Sequence, residues 1–164
     1  MAVENVVGTQ MTKLTSTPLQ KVDSSHLNGR VLVATDDFVM AASASATSTY
    51  HCAQLPREAV LLEAWLYVET GAADPDDMDF GELSPHTAGA DAALGTGIDS
   101  AAAAGWLDLL NNIGADDYGD ELWDLLGYSS RDDAPALINL GISLDAANEA
   151  TATDCAVRIY YTVG

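Results

Sequence analysis

Apolar and polar residues alternate along several stretches of the chain, and the clearest alternation lies between residues 60 and 69. A period of two is typical of a β-strand with one buried face. The predicted core face carries Val60, Leu62, Ala64, Leu66 and Val68. The opposite face carries Leu61, Glu63, Trp65, Tyr67 and Glu69. Two aromatic rings beside two carboxylates predict an outer surface that a partner covers.

The part of the chain before this strand predicts three shorter strands. Residues 30–34 and 38–42 are largely apolar and flank Thr35, Asp36 and Asp37, which suit a turn between two strands. Residues 47–55 form a third extended stretch. Pro56 is expected to end it, because proline cannot donate a hydrogen bond to a neighbouring strand.

The last third predicts two more alternating strands, at residues 136–144 and 153–163. The inward positions of the first are Ala136, Ile138, Leu140, Ile142 and Leu144. Those of the second are Cys155, Val157, Ile159, Tyr161 and Val163, with Asp154, Arg158 and Tyr160 outward. The polar segment DAANEAT joins the two strands, so the pattern predicts an antiparallel hairpin.

The region between these halves has helical composition instead. Residues 100–112 and 120–126 predict two short helices, with Asp99 or Ser100 as the first N-cap and Gly127 as the final stop. We therefore predict a helical insert at about 99–127 in an otherwise β protein. Its apolar stripes favour a lid over the end of the sheets. The alternative is a projecting surface for a partner, carrying Trp106 and Trp123.

The charge of the chain is strongly unbalanced, with 25 Asp and Glu against 6 Lys and Arg, a formal net charge of −19 over 164 residues. This self-repulsion strains a compact fold in dilute buffer, whereas at about 1 M ionic strength the Debye length is about 3 Å. The sequence therefore indicates a protein of a halophile. Nucleic acid and anionic membranes are disfavoured as partners, because both require a basic surface. A hydrophobic content of 48% excludes an acidic disordered tail.

Residues 1–28 lack a sustained hydrophobic period and predict an extended N-terminal arm, followed by a single domain over residues 29–164. Lys13, Lys21 and Arg30 are half of all the basic residues, so residues 1–30 carry a net charge of +1 while the rest of the chain is acidic. The arm either folds back on its own body or reaches an acidic partner. Neither a signal peptide nor a membrane helix is expected, which predicts synthesis in the cytoplasm.

Two acidic clusters are weak candidates for metal binding. The first consists of Asp74, Asp76, Asp77 and Asp79, and the second of Asp116, Asp117, Asp120, Glu121 and Asp124. The first lacks the spacing of a calcium loop, and for both we favour a solvated acidic loop. Cys52 and Cys155 predict two buried free thiols. No nucleophile-base or metal constellation is visible, so we expect neither an enzyme nor a cofactor.

The order of four segments carries a family resemblance: SATSTYHCAQLPREAVLLEAWLYVETGA, DDMDFGEL, ADAALGTGIDSAAAAG and APALINLGISLDAANEATATDCAVRIYYTV. Over residues 45–164 this order resembles a group of small virion structural proteins of tailed viruses, the decoration or cement proteins of capsids. The resemblance implies a β-sandwich subunit. With the elements above, the expected fold is a mainly β, antiparallel, jelly-roll-like sandwich with a short helical insert and an extended N-terminal arm.

The resemblance also implies a place and partners for the chain. It would decorate or cement the capsid surface of a virus, here of a haloarchaeal host, as a minor capsid protein. Its partners would be the major capsid protein or other virion proteins, and copies of itself in a trimer or pentamer. The candidate contact residues are Lys13, Lys21, Arg30, Trp65, Tyr67, Trp106, Trp123 and Tyr160. Two alternatives stay open: a sugar- or calcium-dependent host-recognition or adhesion module, and a small hydrolase.

Overall fold

The computed structural model describes residues 30–41, 48–69, 77–83, 90–99, 104–144 and 152–163. Eight strands and one short helix form the described part of the chain. The elements are β1 (Leu32–Met40), β2 (Thr49–Pro56), β3 (Ala59–Val68), β4 (Asp77–Glu82), β5 (Gly95–Asp99), β6 (Gly105–Asp108), α1 (Leu122–Leu125), β7 (Leu137–Leu144) and β8 (Thr153–Val163). The predicted arm, residues 1–28, lies outside the described residues.

The strands form two four-stranded antiparallel sheets, in the orders β1-β8-β3-β6 and β2-β7-β4-β5. Strands that follow one another in the chain mostly lie in opposite sheets, and the first strand pairs with the last. This interleaved order in two sheets is the double Greek key of an eight-stranded jelly roll. The predicted mainly β, jelly-roll-like sandwich is therefore confirmed.

The core lies between the inner faces of the two sheets. The largest side chains with almost no exposure are Met40, Leu55, Leu66, Met78, Phe80, Leu94, Leu109, Leu122, Ile138, Leu140, Ile142 and Ile159. Gly141 lies in the middle of β7, where a Cβ atom would collide with the carbonyl oxygen of Tyr50 on β2. A residue without a side chain is therefore required at this position for β2 and β7 to lie side by side.

Strand β3 differs from its predicted pattern at its first half. Leu61 is buried and Leu62 is 40% exposed, the reverse of the prediction. The pairing of β3 with β8 shifts register between Leu61 and Glu63, which makes a β-bulge at Leu62. Because a bulge inserts one extra residue, it inverts the alternation on one side of it. The second half, with Ala64 and Leu66 inward, follows the prediction.

One predicted turn and one predicted hairpin are wrong. Residues 35–37 do not form a turn, because β1 pairs with β8 in an unbroken register from Leu32 to Met40. Polar residues are tolerated in this strand because it lies at a sheet edge and most of its side chains are exposed. Strands β7 and β8 do not form a hairpin, because β7 pairs with β2 and β4 in the other sheet. Their inward faces meet across the core instead.

The predicted helical insert is only partly helical. Residues 105–108 form strand β6 on the edge of β3, and Asp99 ends strand β5 instead of capping a helix. The four-residue helix α1 lies within the second predicted helix. Leu109, Leu110 and Leu122 are buried although they do not share one long helix. The helix prediction failed because turns can place two clusters of leucines on a core as well as a helix does.

Candidate interaction surface

The outer side of sheet β1-β8-β3-β6 brings together aromatic residues from three strands. Trp65 of β3 pairs with Arg158 of β8 on one side and Asp108 of β6 on the other. In the next row, Tyr67 pairs with Trp106 of β6. We name as the aromatic face the surface formed by Trp65, Tyr67, Trp106, Arg158 and Tyr160. These positions alternate with buried residues such as Leu66 and Ile159, so they point away from the core.

Trp106 is at the centre of the ring contacts on this face. The Arg158 guanidinium carbon lies 4.8 Å from the centroid of the Trp106 ring, which is cation–π geometry. The Tyr67 ring lies 5.3 Å from the Trp106 ring with the planes tilted by 55°. Trp106 nevertheless remains 45% exposed. Its neighbours therefore hold the ring in place while one side of it stays open to a partner.

A shallow groove of about 260 Å³ runs across the aromatic face. Glu63, Trp65, Trp106, Arg158 and Tyr160 line it. The Trp65 Nε1–H donates a hydrogen bond to Glu63 Oε2 at 3.1 Å, which fixes the orientation of the indole. The groove therefore combines aromatic walls with one arginine and one carboxylate, and its tryptophan, tyrosine and arginine are the residue types enriched where proteins bind one another tightly.

Two of the four arginines in the described part of the chain have a different role. Arg57 Nη1 donates to the carbonyl oxygen of Ala134 at 2.8 Å, and Arg131 Nη2 lies 2.8 Å from Glu58 Oε1. The bond to Arg131, with Arg57 beside it, lowers the pKa of Glu58. These pairs tie the segment after α1 to the β2–β3 turn. Arg158 is the arginine that the fold places on the aromatic face.

The predicted contact residues separate into three groups. Trp65, Tyr67, Trp106 and Tyr160 share the aromatic face. Trp123 does not belong to it: it lies on α1, is half-buried, and donates from Nε1 to Glu121 Oε2 at 2.6 Å. Arg30 is exposed just before β1, and Lys13 and Lys21 lie outside the described residues. Arg158 is not among the predicted contact residues, although its outward alternation with Tyr160 on β8 indicates it.

The candidate metal-binding residues lie only partly within the described residues. No group of three or more metal-ligating side chains occurs within the described ranges, which omit residues 70–76 and therefore Asp74 and Asp76. The side chain of Asp77 is likewise not described. Asp79 is 6% exposed, and its Oδ1 accepts a hydrogen bond from the Gly97 N–H at 3.3 Å. Of the second cluster, Asp117, Asp120 and Asp124 line a small surface pocket.

Several buried groups have pKa values that keep them neutral. Cys52 and Cys155 are free and buried, as predicted. Burial is the main cause that raises the pKa of Cys52 to about 12 and that of Cys155 to about 11. Burial and then the hydrogen bond to Glu82 raise the pKa of Tyr128, whose hydroxyl donates to Glu82 Oε1. These groups are part of the core, and high pKa values make the thiols poor nucleophiles.

None of the described helices has the length and apolar character needed to cross a membrane.

No family model matches the sequence, and no curated protein matches it. Chains in solved phage capsid structures are similar to it. A chain of the cyanophage Pam1 capsid asymmetric unit has a TM-score of 0.54 and 14% identity over 92% of this chain and 97% of that chain. A chain of the capsid of Ralstonia phage GP4 has a TM-score of 0.58 and 19% identity over 84% of this chain and 86% of that chain. At such identities the likeness shows that the chain shares the fold of these two phage capsid chains.

Proposed function

We propose that this chain is a structural protein of a virion, which decorates or cements the capsid of a tailed virus with a halophilic host. The observation that carries the proposal is the likeness of fold over almost the full length of both chains, 92% of this one and 97% of the Pam1 chain. A match of that extent involves both sheets of the sandwich and not a single local motif.

The aromatic face supports a role in assembly. Trp, Tyr and Arg are the residues that most often dominate binding energy at protein interfaces, and here Trp106 contacts both Tyr67 and Arg158 on an exposed sheet. Their contacts with one another restrict their motion before binding, so less side-chain entropy is lost when a partner covers them. The partner on this face would be the major capsid protein or a neighbouring copy of this chain.

The distribution of charge supports different roles for the N-terminal arm and the acidic body. Residues 1–30 carry three basic and two acidic residues, while the whole chain has a net charge of −19. Like-charged bodies repel, and the arm is the part that approaches an acidic partner without repulsion. In this proposal the arm, with Lys13 and Lys21, attaches to neighbouring capsid subunits, and closed trimers or pentamers form around a symmetry axis of the shell.

A host-recognition module that binds sugar is the second candidate, because Trp65, Tyr160 and Glu63 line an open groove. Pyranose rings stack on exposed indole faces. The Arg158 guanidinium already lies over the Trp106 ring at 4.8 Å, which leaves less aromatic surface for such stacking. This contact favours a protein partner over a sugar. A glycan array screened in high salt tests the second candidate, which is abandoned when no glycan binds.

Co-sedimentation with capsid shells tests the proposed function. Shells assembled from the major capsid protein of the same virus are mixed with the full chain in about 1 M salt, where repulsion is screened, and separated on a density gradient. We expect the chain to migrate with the shells in a fixed ratio. Failure to migrate with them at any salt concentration contradicts the proposal.

Two variants locate the attachment. Removal of residues 1–28 should abolish attachment while the sandwich stays folded, and intact attachment would contradict the role of the arm. Trp106→Ala should weaken attachment about 30-fold, because a central aromatic anchor typically contributes about 2 kcal/mol. Tyr118→Ala is the matched control: Tyr118 is 56% exposed but lies in the turn before α1, so its loss should have no effect.

A further inference from the structure

Strand β1 presents a long sheet edge. It pairs with β8 on one side and is the outermost described strand of its sheet. Its nine residues offer an edge of about 30 Å, whereas β6 at the opposite edge has four residues. Long edges invite pairing with another strand, and folded proteins usually shorten, cover or charge them. This edge is charged at its centre.

Apolar side chains are concentrated at the two ends of the β1 edge. Half of the large hydrophobic residues that are exposed in the described part of the chain lie between residues 31 and 39. Val31 is 57% exposed, Val33 49% and Val39 58%. A strand laid along β1 would cover part of this surface, and burying apolar surface is the main driving force for association. The β1 edge is therefore long and carries exposed apolar surface that a partner strand would bury.

Two carboxylates in the middle of the strand control which partner can pair. Asp36 and Asp37 are exposed, and Asp36 Oδ1 accepts a hydrogen bond from the Asp37 N–H at 2.9 Å. An added strand that displaces this bond must offer the Asp36 carboxylate another partner. The carboxylates also repel any strand that carries acidic residues. Acidic residues occur in most parts of this chain after residue 30. A matching strand therefore needs a cation near its middle.

A segment before β1 has these properties. Residues 9–17, TQMTKLTST, hold no Gly, no Pro and no acidic residue, and they lie between Gly8 and Pro18. Threonine favours extended backbone because it is β-branched. The segment is nine residues long, as β1 is, and Lys13 is its central residue as Asp36 is the centre of β1. Full overlap therefore places Lys13 opposite Asp36 in either strand direction.

We propose that β1 receives residues 9–17 of a neighbouring copy of this chain as an added strand, with Lys13 opposite Asp36. The inference rests on the proposed function, in which copies stand side by side on a shell. Each copy then gives one strand and receives one, a head-to-tail contact that closes into a ring when the rotation allows it. The lysine also offsets the repulsion between two acidic bodies, which pairing within one copy would not do.

Disulfide trapping tests the pairing in the full chain. The double variant Lys13→Cys and Asp36→Cys is oxidised, and the native Cys52 and Cys155 do not interfere because both are buried. The control is the double variant Lys21→Cys and Asp36→Cys. It has the same number of thiols, but residue 21 lies outside the proposed strand. We expect covalent dimers and larger species for the first pair only. The proposal is overturned when the first pair forms no more cross-links than the control. A cross-link within one copy overturns the exchange between copies.

A charge swap keeps the test valid where the cysteine variants fold poorly. Lys13→Glu and Asp36→Lys should each weaken self-association about two- to fivefold, as like charges directly opposite across strands do, and the double variant should restore it. The association constant is measured by sedimentation equilibrium in low salt and in about 1 M salt, where the differences should shrink. Equal association of all four chains, or no recovery in the double variant, overturns the pairing.

The capsid experiment keeps the two proposals apart. When the swap restores self-association but no variant migrates with shells, the strand exchange stands and the capsid function fails. When Lys13→Glu associates as strongly as the unmodified chain and still migrates with shells, the strand exchange is overturned and the capsid function stands.

Discussion

The two buried thiols predict that the fold loses stability in alkaline solution well before the backbone is damaged. Cys52 and Cys155 have pKa values of about 12 and about 11 against an ordinary value of 9.0. A thiol whose pKa is raised in the folded state gives up its proton more readily in the unfolded chain. The resulting stability is therefore complete below pH 9 and is lost as the pH rises above it.

The size of the loss follows from these values. At about pH 10 the unfolded chain gains about 1.4 kcal/mol from ionising each thiol, while the folded thiols stay almost fully protonated. The two together lower the free energy of unfolding by about 3 kcal/mol relative to pH 7, a large part of the 5–15 kcal/mol typical of a domain. Tyr128, whose pKa burial also raises, adds a smaller loss of the same sign.

Denaturant titration followed by circular dichroism measures this loss at pH 7 and about pH 10 in high salt. The control is the double variant Cys52→Ala and Cys155→Ala. It should be less stable than the unmodified chain at pH 7, because two buried side chains are shortened. Its further loss between the two pH values should be smaller by about 3 kcal/mol. Equal pH-dependent losses in both chains would refute the assignment to the thiols.

Three further outcomes are expected. Tyr128→Phe should lower the free energy of unfolding by about 1–3 kcal/mol in denaturant titration, because it removes the hydroxyl that donates to buried Glu82; an unchanged midpoint would contradict this. Gly141→Ala should cost about 1–3 kcal/mol or prevent folding, since its Cβ would meet the Tyr50 carbonyl oxygen, and a stable variant would show that β2 and β7 can separate. The thermal midpoint of the full chain should rise between about 0.1 M and about 1 M salt as carboxylate repulsion is screened, and an unchanged midpoint would argue against a salt-adapted surface.

The sequence was sufficient for those parts of the fold that depend on alternation alone. The stretch of β7 from Ile138 to Leu144, that of β8 from Cys155 to Ile159 and the second half of β3 bury the residues that their pattern predicts. Ala136 is exposed, and Tyr161 and Val163 are only half-buried. The prediction failed where the fold depends on contacts between distant segments. The bulge at Leu62 is defined by the register against β8, and β6 is a strand because it pairs with β3. Neither partner can be read from the local pattern.

The same reasoning explains the outcome for the candidate surface. Trp65 and Tyr67 were found because they alternate with core residues on one strand. Trp106 belongs to a predicted helix, but residues 105–108 form strand β6, and its pairing with β3 brings Trp106 to the same face. Arg158 was overlooked because its importance comes from the ring that it covers, which belongs to another strand. A cluster assembled across strands becomes visible only with the sheet order.

The position of β8 between β1 and β3 has a consequence for how the protein is made. Sheet β1-β8-β3-β6 has no continuous centre until β8 is present, although β1 and β3 leave the ribosome much earlier. The two strands must wait, without their partner, while most of the chain is synthesised. Folding that depends on such distant pairing is slow and exposes strand edges to other chains. Newly made chains are therefore most vulnerable to aggregation just before β8 emerges, and nonsense mutations upstream of β8 should leave no folded fragment.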